Sequence, residues 1–151
     1  MFPGITRYRE NYVLEAAKRQ GYIHLGLGYR MYSDQPDRDI RTLNNGTCQF
    51  WSMLSVLSVD KMYQLIDKAG YSKDIFITSS IYDSIYFICR DDPVIIKWLN
   101  DTLIPTMTQD FMKGQILKNS AELEIGLDWD ALHAVPNGAS LNQIKEIRKE
   151  F

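Results

Sequence analysis

Apolar residues recur at helical spacing in the first part of the chain: Ile5, Tyr8, Tyr12, Val13 and Ala16. This period predicts a helix over 5–20, with its tyrosines in the core. Gly21 then favours a helix end, because glycine readily adopts the left-handed conformation of a C-terminal cap. Residues 22–32 are β-prone and predict a hairpin around Gly26-Leu27-Gly28, and residues 33–39 predict a polar loop.

The middle of the chain predicts one long helix and a second hairpin. Residues 40–69 contain no proline, their second half keeps helical period, and Gly70 follows as a stop. Residues 75–80 and 84–90 are rich in β-branched and aromatic side chains. We therefore expect two paired strands with Asp83 at the tip of the turn between them.

The last third predicts two more helices and one strand. Asp91-Asp92-Pro93 has the pattern of an N-cap followed by proline in the first turn, and Pro105 is expected to break or kink that helix. Residues 122–127 predict a strand, and Ser140 with Gln143 forms a capping box before a short terminal helix. The order of elements predicts an α+β fold in which antiparallel hairpins pack on long helices.

Composition narrows the functional classes only a little. The chain has 151 residues, 45% of them apolar and 24% charged, as expected for one globular domain or a piece of one. The net charge of −2 excludes a uniformly basic nucleic-acid binder. Residues 1–41 nevertheless hold seven Lys/Arg against five Asp/Glu, a net of +2, which fits phosphate contacts or an ordinary solvated surface.

The sequence also predicts where the protein resides. Cys48 and Cys89 have neither metal-ligand nor disulfide spacing, which fits a reducing compartment. No stretch approaches 18 apolar residues, and the N-terminus lacks the apolar segment of a signal peptide. We expect a cytoplasmic, intracellular protein without membrane contact.

Two groups of residues suggest chemistry. Arg41, Asn45 and Gln49 fall at i, i+4 and i+8 of the predicted long helix, so they form one polar stripe. Such donors can reach the acceptors that every base pair presents in the minor groove, although a solvent-facing helix has the same pattern. Asp83 at a tight turn suits a Mg²⁺ ligand, although aspartate is also a common turn residue.

Taken in order, these motifs resemble the A-family DNA polymerases, over about residues 2–133. The segment FPGITRYRENYVLEAAKRQGYIHLGLGYRMY is similar to the helix and hairpin that follow the family's fingers. RTLNNGTCQ fits the pattern R-x3-N-x3-Q, IYDSIYF resembles the third palm motif, and EIGLDWDALH resembles the usual C-terminal ending. The resemblance implies that 1–133 is the C-terminal part of the palm and 134–151 is an extension.

The resemblance also implies roles for individual residues. Arg41, Asn45 and Gln49 would contact primer–template DNA, Arg30 would lie near its backbone, and Asp83 would bind catalytic Mg²⁺. Tyr82, which stands where histidine is common, is assigned to DNA contact as well. Ser84 replaces a common glutamate, which removes an auxiliary carboxylate.

The family's other catalytic aspartate, and the lysine and tyrosine of its fingers, have no counterpart in this sequence. We therefore expect either a split polymerase, whose second polypeptide carries those segments, or a piece of a larger chain. The partners would be primer–template DNA, deoxynucleoside triphosphates and that polypeptide. Two alternatives stay open: a non-catalytic DNA-binding or assembly subunit, and an unrelated α+β domain.

Overall fold

A computed structural model of the protein describes residues 3–50, 52–110 and 119–151. The chain divides into two compact units, Met1–Ser52 and Met53–Phe151. Helices and small antiparallel hairpins occur in both, so the expected α+β class is confirmed. Among the described residues, no helix is both long and apolar enough to cross a membrane.

The first unit consists of a helical segment, a hairpin and a second helix. Its elements are α1 (Pro3–Tyr8), a π-helical turn (Arg9–Leu14), α2 (Glu15–Gln20), β1 (Tyr22–Gly26), β2 (Tyr29–Tyr32) and α3 (Pro36–Gln49). Val13, Ala17, Ile23 and Leu43 form its buried core. The core thus joins one face of the helical segment to the hairpin and to α3.

Local signals place the ends of these elements. Gly21 adopts a φ of 76° and donates its N–H to the carbonyl of Ala17 at 2.8 Å, which ends α2 as expected. Leu27 and Gly28 form the hairpin turn with φ of 49° and 87°. Positive φ at both loop residues is typical of a two-residue hairpin turn whose twist matches the strands.

Two predictions for this part of the chain were wrong in their limits. The polar loop does not extend over 33–39, because α3 already begins at Pro36, a residue favoured at the first helical position. The helix over 40–69 is not continuous, because the chain leaves α3 at Phe50. The Phe50 side chain is buried, with its ring centroid 6.0 Å from that of Tyr29.

The second unit contains the remaining elements. They are α4 (Ser52–Lys68), β3 (Ile75–Ile81), β4 (Ser84–Cys89), α5 (Pro93–Thr108), β5 (Leu123–Ile125), β6 (His133–Val135), α6 (Leu141–Ile147) and a 3₁₀ turn (Arg148–Glu150). β3 pairs with β4 and β5 with β6, both antiparallel. The core collects apolar residues from all of these helices and from β3, β5 and β6.

Helix α5 begins as predicted and ends later. The Asp92 carboxylate accepts a hydrogen bond from the N–H of Val94 at 2.8 Å, which confirms the N-cap. Pro105 does not end the helix, which continues to Thr108. The buried Thr106 donates its hydroxyl to the carbonyl of Thr102 at 2.7 Å, so a side chain supplies a donor in the turn that contains proline.

The C-terminal residues belong to the core of the second unit. Val135, Ala139 and Ile144 are buried in it, and the capping box of Ser140 with Gln143 is present at the start of α6. Strand β6 was not anticipated. Residues 134–151 therefore contribute directly to the packing of this unit.

Candidate functional site

Asp83 lies in a two-residue hairpin loop. Ile81 and Ser84 are the last paired residues of β3 and β4, so only Tyr82 and Asp83 connect the strands. Both loop side chains are exposed. The position at the tip of the hairpin was predicted correctly.

The loop holds an aromatic residue in an unfavourable backbone conformation. Tyr82 has a φ of 54°, a region that glycine and asparagine adopt much more readily than tyrosine. Its side chain is 85% exposed, so little burial of the ring offsets this cost. Strained backbone that packing does not explain is common where function requires it.

Asp83 is available to a ligand. No hydrogen bond or ion pair engages its carboxylate within the described part of the chain. Residues 3–50, 52–110 and 119–151 contain no cluster of three or more His, Cys, Asp or Glu that could hold a metal ion. Asp83 can thus supply carboxylate oxygens to Mg²⁺, and the remaining oxygen ligands would come from phosphates, water or another segment.

The β3–β4 hairpin is contacted by the loop that connects β5 to β6. The Trp129 ring stacks on that of Tyr86 in β4, with centroids 4.7 Å apart and planes 14° apart. Two contacts shape this loop: Asp128 accepts hydrogen bonds from the N–H groups of Asp130 and Ala131. A Cβ on Gly126 would clash with the Ala131 carbonyl oxygen, so glycine is required there. The motif around Trp129 therefore supports the hairpin that carries Asp83.

Helix α3 presents the predicted polar stripe to solvent. Arg41, Asn45 and Gln49 are all exposed, whereas Leu43 on the other side of the helix is buried in the core of the first unit. Within the described residues, no hydrogen bond or ion pair engages any of the three side chains. Their donors are therefore free for a ligand.

Arg30 lies in β2, opposite His24 in β1. Its guanidinium carbon lies 4.7 Å from the centroid of the Tyr22 ring, a cation–π contact. This contact orients the exposed Arg30 side chain, which the sequence alone did not indicate.

The candidate residues and the net charge are both distributed unevenly between the two units. Arg30, Arg41, Asn45 and Gln49 belong to the first unit, and Tyr82 and Asp83 to the second. The first unit has seven Lys/Arg against five Asp/Glu, a net of +2. The second has ten against fourteen, a net of −4. Four of the five candidate DNA contacts thus lie in the basic unit, and Tyr82 lies in the acidic one.

One group of exposed residues was assigned wrongly from sequence. Tyr8 and Tyr12 follow the apolar period of the first helix, which predicted core positions, but they are 46% and 65% exposed. Their rings stack on each other with centroids 5.9 Å apart. Among the residues that the structure describes, the face with Val13 and Ala17 is the one that packs against the hairpin and α3. Periodicity finds apolar faces but does not say which of them is covered.

No protein-family model, curated protein or solved structure matches the chain.

Proposed function

We propose that the chain is a component of a DNA-directed DNA polymerase, corresponding to the C-terminal part of the palm of A-family enzymes. The observation that carries the proposal is the exposed Asp83 carboxylate at the tip of a two-residue hairpin. The four motifs, in the family's order, support it. An intracellular location follows from such a role.

Asp83 is the proposed metal ligand, and its free, exposed carboxylate fits the preference of Mg²⁺ for oxygen donors. In the assembled enzyme a primer 3′-hydroxyl attacks the α-phosphate of a deoxynucleoside triphosphate, and pyrophosphate leaves. Bound Mg²⁺ would supply charge stabilisation to the attacking and leaving oxygens. The proposed role of Asp83 is to bind Mg²⁺ at the tip of the β3–β4 hairpin.

Arg41, Asn45 and Gln49 are the proposed contacts to primer–template DNA. Every base pair presents a minor-groove acceptor, purine N3 or pyrimidine O2, so donors at that edge can check pair shape without reading sequence. Arg30 and Tyr82 are proposed to add contacts to the nucleic acid. The net charge of +2 on the first unit supports phosphate binding there.

The chain is proposed to be incomplete as a catalyst. Two metal ions about 3.5–4 Å apart need ligands from both sides of the site, and Asp83 alone cannot provide them. The second catalytic aspartate and the nucleotide-binding lysine would come from another polypeptide or another part of a longer protein.

A non-catalytic DNA-binding or assembly subunit is the second candidate. The observation in its favour is Ser84, which leaves a hydroxyl beside Asp83 where a second carboxylate would strengthen metal binding. In that case Arg41, Asn45 and Gln49 on α3 would bind DNA, and Asp83 would not bind a catalytic metal.

Primer extension distinguishes the two candidates. The purified chain is mixed with Mg²⁺, all four deoxynucleotides and a labelled primer–template, with and without the polypeptide that co-purifies with it from the native source. We expect extension only in the mixture. Asp83→Asn should abolish it, whereas Asp60→Asn, which changes an exposed carboxylate on α4, should not.

DNA binding by fluorescence anisotropy completes the test. Gln49→Ala should weaken both duplex binding and extension, while Asp83→Asn should leave duplex binding intact. Extension by the isolated chain would contradict the proposed incompleteness. Duplex binding without extension in any mixture would favour the non-catalytic subunit.

A further inference from the structure

The helical segment at the start of the first unit exposes two stacked aromatic rings. Tyr8 is 46% and Tyr12 65% exposed, and their planes lie 25° apart. Tyr12 is part of the π-helical turn, a rare arrangement that is frequent at functional sites. Neither ring contributes to the core of its unit, so packing alone does not account for the pair.

Positive charge accompanies these rings along the same segment. Residues 3–20 contain four Lys/Arg and two Asp/Glu. Arg9 pairs with Glu10 at 3.3 Å and Lys18 with Asp37 at 2.7 Å. Arg7 and Arg19 are exposed, and no ion pair engages them within the described residues. Two guanidinium groups on this segment are therefore free to meet an anionic ligand.

We propose that Tyr8 and Tyr12 form a stacking platform for unpaired bases of a single nucleic-acid strand, with Arg7 and Arg19 as its phosphate contacts. Exposed aromatic rings beside cations are the combination that binds single strands without sequence preference, because every base has a π-face. The net charge of +2 on the first unit favours a polyanionic ligand over a protein partner. The inference rests on the proposed function for its ligand class, and it adds a site for an unpaired strand to the duplex contacts on α3.

The probe is a fluorescein-labelled oligothymidylate of about twelve nucleotides, a length that one such site can occupy. Its binding to the full chain is measured by anisotropy at low salt. A second probe of equal length carries abasic sites in place of the bases, so that it retains the phosphates and loses the stacking. The wild-type chain should bind the abasic probe roughly tenfold more weakly, as expected for the loss of one stacked base.

Paired variants separate stacking from charge. Tyr8→Ala with Tyr12→Ala should lower affinity for oligothymidylate roughly tenfold and leave the abasic probe unaffected. Tyr8→Phe with Tyr12→Phe retains both rings and should bind like the wild type. Arg7→Gln with Arg19→Gln should weaken binding of both probes and reduce the salt dependence.

A matched control uses a tyrosine elsewhere on the surface. Tyr63 on α4 is 54% exposed and belongs to the acidic second unit, so Tyr63→Ala should not change binding. Circular dichroism melts establish that each variant is folded. The phenylalanine and arginine variants keep the test valid even if the double alanine variant is destabilised.

Three results would overturn the platform. One is equal affinity of the wild type and the double alanine variant for oligothymidylate. Another is equal affinity of the wild type for the two probes. The third is a loss of self-association, with no change in DNA binding, when both tyrosines are removed. A duplex hairpin probe separates the two proposals. If Gln49→Ala weakens duplex binding while the double alanine variant binds oligothymidylate like the wild type, the platform fails and the proposed function stands. If neither probe binds, the proposed function fails as well.

Discussion

Replacing Tyr82 by asparagine should stabilise the second unit by about 1 kcal/mol. Tyr82 adopts a φ of 54° in the two-residue loop before Asp83. The left-handed region costs an ordinary L-residue roughly 1–2 kcal/mol, whereas asparagine tolerates it because its short side chain bonds to local backbone.

The size of the gain follows from what the tyrosine side chain contributes in return. The ring is 85% exposed, so its removal sacrifices little buried apolar area. Relief of the backbone strain is therefore the dominant change. For a unit of this size, a gain of about 1 kcal/mol raises the melting temperature by roughly 4–8 °C.

Urea unfolding followed by tryptophan fluorescence measures this change. Trp98 packs against the core of the second unit, with its ring centroid 5.1 Å from that of Tyr71, and reports the unfolding of that unit. Tyr82→Phe is the matched control, because it keeps the strain and removes only the hydroxyl. Under the proposed function, Tyr82→Asn should also reduce primer extension, so stability and activity would move in opposite directions. If Tyr82→Asn proves no more stable than Tyr82→Phe, the backbone at Tyr82 is not strained and the reasoning is refuted.

Three further predictions concern other parts of the fold. Leu27→Asn should stabilise the first unit by roughly 0.5–1 kcal/mol, because Asn-Gly suits a hairpin turn with two positive φ angles; a chemical denaturation curve of that variant, compared with Leu27→Ala, measures it. Hydrogen bonding to Arg148 lowers the pKa of Asp91 below its ordinary value of 3.8, so the pair stabilises the fold above that pH and its contribution is lost as the pH falls through the lowered pKa. The Asp91 carboxylate is exposed, so solvent screens the pair, and Asp91→Asn should cost only about 0.5 kcal/mol at neutral pH and nothing in strong acid, as pH-dependent melting would reveal. Ile144→Ala should cost about 3 kcal/mol in a urea titration, because Ile144 is fully buried at 0% exposure, and a cost below about 1 kcal/mol would contradict the observed packing of α6.

Local signals explain most of what the sequence predicted about the fold. Gly21, the Asp92 cap and the capping box of Ser140 with Gln143 each act within a few residues, so their effects are readable from the chain. Pro105 shows the opposite case, because buried neighbours on α5 hold the helix together through a residue that usually ends one. Burial of Phe50 also depends on residues distant in sequence, and helical period could not reveal it.

The candidate site also has features that local sequence predicts and features that depend on distant residues. The exposure of Asp83 and the shared face of Arg41, Asn45 and Gln49 follow from a turn and from helical spacing. The contact of Arg30 with Tyr22 depends on strand register, which the sequence did not fix. The exposed tyrosines of the first helix were misassigned for a related reason. The apolar residues of that helix lie on two faces, and among the described residues the face with Val13 and Ala17 is the packed one.

The exposed apolar face of the β3–β4 hairpin supports the proposal that Asp83 works together with another segment. Ile77 and Phe87 are cross-strand partners that pack on the core, whereas the next pair, Phe76 and Ile88, is 54% and 64% exposed. A sheet that is apolar on both faces is usual where both faces are covered, and two strands alone are only marginally stable in water. Under the proposed function, the segment that supplies the missing metal ligands must approach the same hairpin. Covering Phe76 and Ile88 would then stabilise the hairpin that carries Asp83.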